Sequence, residues 1–269
     1  MTADPTWKGM PLDAETALAL LEWQREMGVD EAIGDAPVDR YAEPLRPAMA
    51  APEPAPAAAP PTPAAEPLMG QAQAMATRAR TLAELSEIQS GFEGLEIRRG
   101  ARNFVFSDGH PGARVMILGE APGEEEDRQG RPFVGRAGQL LDLMFGAIGL
   151  SRNAVDAERA LYITNVLPWR PPGNRRPEQA EIDAMLPFVT RHVELASPDI
   201  LVLMGNTPCK AALGRDGILR LRGRWTEAFG RPALPMTHPA YLLRNPVAKR
   251  EAWADLLSLS ARLQAGSQP

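Results

Sequence analysis

The sequence predicts an α/β protein: a three-layer α/β/α sandwich around a central, mainly parallel four-stranded sheet. Short apolar runs of strand length stop at Gly, Pro or Asn, and longer stretches between them carry helical periodicity. The two kinds alternate from residue 114 to residue 264. Such alternation places parallel strands in one sheet with helices on both faces.

Residues 13–27, DAETALALLEWQREM, set Ala17, Leu18, Leu20, Leu21 and Trp23 among polar residues, which predicts an amphipathic helix. Residues 42–66 hold 8 Pro and 10 Ala in 25 positions. That composition predicts an extended, semi-rigid tether with no core of its own. The chain thus divides into an N-terminal segment (1–41), a disordered Pro/Ala-rich linker (42–76) and a folded domain (77–265). The leashed helix either docks on the domain, binds a protein partner or stays loosely ordered.

Within the domain, residues 78–90 read as a helix. RVMILGE (114–120) is a buried strand, RAGQLLDLMFGAIGL (136–150) a helix and LYITNVLP (161–168) a second strand. PEQAEIDAMLPFVTRHVELAS (177–197) opens with Pro at a helix start. DILVLMG (199–205) is a third strand, and NTPCKAALG (206–214) a short helix stopped by Gly. Residues 224–229 and 233–239 supply one or two further strands, and residues 246–264 a closing helix.

Bulk properties narrow the class. At 269 residues, 44% of them hydrophobic, the chain can bury a sizeable core. No apolar run approaches the roughly 18–20 residues of a membrane span, and the N-terminus lacks the basic start and apolar stretch of a signal peptide. A cytoplasmic monomer with no membrane contact is expected. The single cysteine, Cys209, excludes an internal disulfide framework and reads as a buried core residue. The net charge of −5 is uneven: residues 1–76 carry 4 Lys+Arg against 12 Asp+Glu, residues 77–269 carry 25 against 22. The domain's cations are nearly all arginine, a residue suited to bidentate phosphate contacts, although genome composition explains the bias equally well.

In a doubly covered sheet, ligands bind beyond the C-terminal ends of the strands. Three segments should meet there: GEAPG after the first strand, NVLPWRPPGN after the second and THPAYLLRNP after the last. GEAPGEEED is neither a P-loop nor GxGxxG, and its carboxylates would repel a phosphate. Part of the acidic run suits a solvated helix start. Glu120, directly on the strand end, suits a polarised water or a cationic group. Phe133, between Gly130 and Gly135, either fills core or stands over a flat ligand. Asn165 either caps a turn or meets a polar ring edge. His238 is either structural or a rim group. The apolar Leu242 and Leu243, followed by Arg244 and Asn245, suit a wedge into stacked bases with a phosphate contact behind it. Together these parts suit an enzyme that takes a base out of a helix.

GEAPGEEEDRQGRPFVGRAGQLLD, YITNVLPWRPPGNRRPEQAEI and THPAYLLRNP, in that order, closely resemble family 4 uracil-DNA glycosylases, the bacterial and archaeal type. The resemblance covers roughly residues 80–262. It implies hydrolysis of the N-glycosidic bond of deoxyuridine in uracil-containing DNA, as in base excision repair. It implies that Phe133 stacks on the flipped base beside Gly119 and Ala121, and that Asn165 reads its polar edge. On the same resemblance Glu120 would act on water or on the sugar cation, with Glu126 as a supporting carboxylate. His238 would likewise stabilise the departing uracil oxygen, and the 239–246 loop, from Pro239 through Leu242, Leu243, Arg244 and Asn245, would enter the minor groove.

The chain departs from that family in one respect. Typical members hold a [4Fe–4S] cluster on four cysteines, and the matching positions in this chain are Phe92, Leu95, Trp169 and Met185. Cluster ligation needs thiolates. The expectation is therefore no cofactor and no metal, with these four side chains packed together where a cluster would sit. Relatives that crosslink to uracil-DNA carry a basic, histidine-containing insert. GRDGILRLRGRWTEAFG, the corresponding stretch, has no histidine, so turnover is expected rather than covalent trapping.

Overall fold

A computed structural model describes residues 6–7, 10–11 and 65–265. The helix expected at 13–27 and the tether up to residue 64 lie outside the described residues. Thr6–Trp7 and Met10–Pro11 form a two-residue antiparallel ladder of their own. Ala65–Ala76, at the end of the stretch expected to be tether, is a helix (α1) instead. Its Ala72 and Ala76 are fully buried in the domain's main apolar cluster. Proline stops at residue 67 and Leu68 and Met75 follow, so this end of the stretch does have an apolar face to bury.

The domain's strands are β1 (Ser107–Gly109), β2 (Val115–Gly119), β3 (Leu161–Asn165), β4 (Ile200–Met204), β5 (Thr226–Ala228) and β6 (Arg231–Met236). Their spatial order is β1-β3-β2-β4-β6-β5. The middle four are parallel and correspond to the four expected strands. The sheet nevertheless has six, because β1 and β5 add short antiparallel edges. β5 falls in a segment expected to hold a strand. β1 has no counterpart in the sequence pattern: Ser-Asp-Gly is polar, three residues long and only half-buried, too short to show a period.

Side chains alternate across the central strands, as a pleat requires. Val115, Ile117, Leu161, Ile163, Val202, Met204, Leu234 and Met236 face one apolar cluster. It is covered by α5 (Arg136–Gly146) and α10 (Lys249–Ala265), through Leu141, Phe145, Leu256 and Leu259. Met116, Leu118, Tyr162, Leu201 and Leu203 face the other cluster. Over it lie α1, α2 (Leu82–Ser90), α3 (Ile97–Gly100), α6 (Gln179–Ala196) and α7 (Asn206–Leu213). Three short helices complete the domain: α4 (Glu124–Gln129), α8 (Ile218–Leu221) and α9 (Pro239–Arg244). The three layers are those expected. No described helix is long and apolar enough to cross a membrane.

Local signals explain the helix ends. Thr81 Oγ1 accepts from the Glu84 N–H at the start of α2. Glu181 reaches back to the Glu178 N–H at 2.8 Å at the start of α6. α6 stops at Ser197, in the left-handed conformation with φ 48°.

Phe92, Leu95, Trp169 and Met185 all lie in the second cluster, none more than 5% exposed. The Phe92 ring meets Phe188 edge-on at 5.4 Å, Trp169 meets Phe104 at 5.4 Å, and Gln89 Nε2 donates to Met185 Sδ at 3.7 Å. A Cβ on Gly94 would lie 2.5 Å from the Phe92 ring, so the backbone closes tightly over it. Each side chain contributes roughly 1.5–3 kcal/mol by burial. Phe92→Ala is accordingly expected to lower unfolding free energy by about 3–5 kcal/mol in urea titrations. A loss below about 1 kcal/mol would show that the ring is not a packing anchor.

Candidate active site

β2 and β3 end side by side, with Gly119 opposite Asn165. A Cβ on Gly119 would lie 2.3 Å from Asn165 Oδ1 and 2.5 Å from Phe133 Cε2. Glycine is therefore required for three groups to converge at this strand end. Asn165 is 7% exposed, and its Oδ1 is the one buried side-chain polar atom among the described residues without a hydrogen-bond partner. An unmet buried acceptor costs about 1–3 kcal/mol, and a donor brought by a ligand would relieve it.

Beyond the strand ends the backbones stay paired: Val166 N–H donates to Gly119 O at 2.9 Å and Leu167 N–H to Glu120 O at 3.0 Å. This fixes Glu120 and the partly buried Ala121. Glu120 Oε2 accepts from Thr207 Oγ1 at 2.5 Å, and Oε1 has no protein partner among the described residues. Thr207 is buried in the first turn of α7, after β4. The sequence reading missed it; its signal was a hydroxyl just after a strand end.

The remaining carboxylates of the acidic stretch serve the fold. Glu124 pairs with Arg170 at 3.6 Å, and Glu125 with Arg128 one turn along α4. Asp127 Oδ1 accepts from the Arg102 and Asn103 N–H groups at 2.9 and 3.0 Å. Glu126, expected as a supporting carboxylate for the chemistry, has both oxygens engaged by backbone. Oε2 accepts from Gly123 N–H at 3.1 Å, Oε1 from Val134 at 2.9 Å and Gly135 at 2.8 Å. It anchors the segment that carries Phe133.

Phe133 has φ +53°, uncommon for a non-glycine residue, and is 5% exposed. The Cε2–Cζ edge of its ring lies against Gly119, and the ring stacks on the His238 imidazole at 5.4 Å and 28°. The first turn of α5 closes over its carbonyl: a Cβ on Gly138 would come within 1.8 Å of Phe133 O. The buried Arg152 donates to the carbonyls of Pro132 at 2.8 Å and Phe133 at 2.9 Å, and to Asp108 at 2.9 Å. Burial alone would raise the Asp108 carboxyl, but hydrogen bonds from Arg131 and Arg152 outweigh it and hold the group below its ordinary value. Arg152 also escapes the sequence reading, since nothing in SRNAVD marks a buried guanidinium.

His238 caps α9. Its Nδ1 accepts from the Ala240 N–H at 3.1 Å, which leaves the hydrogen of the neutral ring on Nε2. Loss of solvation, then the positive Arg244, hold its pKa down to about 4, while Glu126 pulls the other way. Gly205, at φ +107°, lies beneath it; a Cβ there would be 3.4 Å from His238 Cβ. Glu120 and His238 thus stand at the same end of the sheet.

The rim differs from expectation. Residues 239–244 form the helix α9 rather than a loop, and its Pro239 and Leu242 are buried, Leu242 completely. Neither can serve as a wedge. Leu243 is partly exposed, and Arg244 and Asn245 are exposed. Val247, 92% exposed in the next turn, is an apolar tip that the sequence reading passed over.

The residues present do not fit a [4Fe–4S] cluster. The four side chains at the positions that the resemblance matches to cluster cysteines are apolar and buried in one cluster. Cys209 matches none of them, lies buried on α7, and burial pushes its thiol up to about 12. Among the described residues no group of three His, Cys, Asp or Glu could hold a metal ion.

Residues 106–257 match the uracil DNA glycosylase superfamily. The type-4 uracil-DNA glycosylase of Sulfurisphaera tokodaii is 41% identical over 154 residues, 54% of this chain and 67% of the relative. That of Thermotoga maritima is 39% identical over 146 residues, 53% of this chain and 73% of the relative. That of Pyrobaculum aerophilum is 34% identical over 190 residues, 65% of this chain and 91% of the relative. With these matches laid over the strand ends that carry Glu120, Asn165 and His238, the chain belongs to the uracil-DNA glycosylase superfamily and groups with its type-4 members.

Proposed function

We propose that this protein hydrolyses the N-glycosidic bond of deoxyuridine in DNA, releasing uracil and leaving an abasic site, and that it does so without an iron–sulfur cluster. The observation that carries the reading is the unpartnered Asn165 Oδ1 beside the Phe133 ring. A uracil stacked on that ring brings an imide N–H, the donor the amide oxygen lacks. Cytosine has a ring acceptor at that position and leaves the oxygen unmet, a difference that discriminates strongly in a dry site.

The remaining groups match the charges of the reaction. As the C1′–N1 bond breaks, positive charge grows on the sugar and negative charge on uracil; water then adds to C1′ and gives up a proton. Glu120, oriented by Thr207, has a free oxygen for the water or the sugar cation. His238, neutral, offers Nε2–H to the uracil oxygen. Groups preset for charges that exist only in the transition state lower the barrier most. At the rim, the partly exposed Leu243 and the exposed Val247 suit pressing on stacked bases. Arg244, exposed and without a carboxylate partner among the described residues, suits holding a phosphate. The apolar plug of Phe92, Leu95, Trp169 and Met185 supports the cluster-free part of the reading.

On a uracil-containing oligonucleotide followed by alkali, wild type is expected to give strand scission at uracil. Glu120→Gln and His238→Ala each lower the rate by about 10²-fold or more, with modest loss of binding. Binding without scission by wild type would mark a DNA-binding module instead. Wild-type rates from both variants would refute the roles assigned to Glu120 and His238.

The imidazolium forms only as pH falls through about 4, far below the ordinary 6.5. The rate should therefore show no His238 inflection between about pH 5 and about 8. A step near 6.5 that disappears in His238→Gln would contradict an imidazole whose pKa is held down to about 4. Arg244→Ala should weaken binding to all DNA and reduce the salt slope by about 0.9. An unchanged slope would rule out a phosphate contact.

A further inference from the structure

We propose that Arg152 is a positioning residue for the base-stacking ring, an inference that rests on the glycosylase reading of the pocket. Its side chain is 5% exposed, and every guanidinium nitrogen is used. Nε donates to Asp142 Oδ1 at 2.8 Å, Nη1 to Asp108 Oδ2 at 2.9 Å and to Pro132 O at 2.8 Å, and Nη2 to Phe133 O at 2.9 Å. Four acceptors come from three separate segments: the edge strand β1, the 132–133 backbone and helix α5. The two carboxylates offset the cost of burying the cation, and Arg131 holds Asp108 from its other side at 2.9 Å. The function of β1 is then explained: it brings Asp108 to the place where Arg152 needs a counter-charge.

The target of this fork is the backbone of the stacking residue. Phe133 sits at a strained φ, and both the preceding carbonyl and its own are tied to one rigid plane. Glu126 fixes the next two N–H groups, of Val134 and Gly135, from the other side. The peptide is thus clamped from both directions, and the ring is offered between Gly119 and His238 with little freedom. Lysine cannot replace this fork, having one nitrogen and no plane.

The experiment uses the full chain with Arg152→Met and Arg152→Lys. Single-turnover uracil excision is measured beside affinity for a duplex carrying a tetrahydrofuran abasic analogue, which brings no base to the ring, and beside inhibition by free uracil. Excision by Arg152→Met is expected to fall by at least about tenfold and uracil inhibition to weaken, with abasic-duplex affinity within about twofold of wild type; Arg152→Lys should recover part of the rate. Excision and abasic-duplex affinity falling in parallel would overturn the proposal, because it would indicate a merely structural role. If Arg152→Met does not fold, Arg152→Lys decides: a wild-type rate overturns the proposal, and a lowered rate with retained abasic affinity upholds it. An inert wild type would sink the glycosylase reading and this inference with it, whereas an active wild type with an equally active Arg152→Lys sinks this inference alone.

Discussion

At Gly119 the backbone of β2 runs so close to Asn165 and to the Phe133 ring that no methyl group fits between them. Everything in the pocket depends on that approach. It sets an amide beside an aromatic face, at a depth where the amide oxygen finds no partner among the described residues. The same ring carries the contact onward to His238, and the same strand end carries Glu120. A side chain at residue 119 would push these groups apart and undo the proposed recognition site.

The acidic stretch after β2 divides between the proposed chemistry of Glu120 and architecture. Glu120 keeps one oxygen without a protein partner among the described residues at the strand end. Glu126 and Asp127 spend their charge on backbone N–H groups, as side chains at tight turns often do. Thus the run of negative charge is explained less by the ligand than by the number of loops that must be pinned around it. Across the pocket the imidazole stays neutral because burial and Arg244 together disfavour its charged form. In the proposed reaction a neutral donor would face a developing anion and a carboxylate a developing cation, so the site's electrostatics would change little before the bond breaks.

Much of this was legible in the sequence, and the reasons are physical. The strands Val115–Gly119 and Ile200–Met204 are fully buried apolar runs, and Gly, Asn or Thr punctuates the ends of the parallel strands, so Gly119, Asn165 and His238 could be placed at one end of the sheet, although the residues alone left the roles of Asn165 and His238 open. Strand β1 could not, since three polar residues carry no period. Leu242 misled because an apolar pair beside Arg looks alike in a wedge and in a short helix that buries one of its two leucines. Arg152 and Thr207 act through partners far along the chain, Asp108 and Glu120, and no local pattern announces such pairs. The four apolar residues at the cluster positions were readable only through the family resemblance. Their common burial in one cluster is a property of the fold.

The central claim joins that greasy plug to a working pocket: packing holds the scaffold, and Glu120, Asn165 and His238 do the chemistry. It is tested most directly by determining iron and uracil release on the same purified wild-type preparation. The account predicts release of uracil from DNA by protein carrying essentially no iron, at a rate that neither chelation nor iron reconstitution alters. Release that rises and falls with bound iron would contradict it.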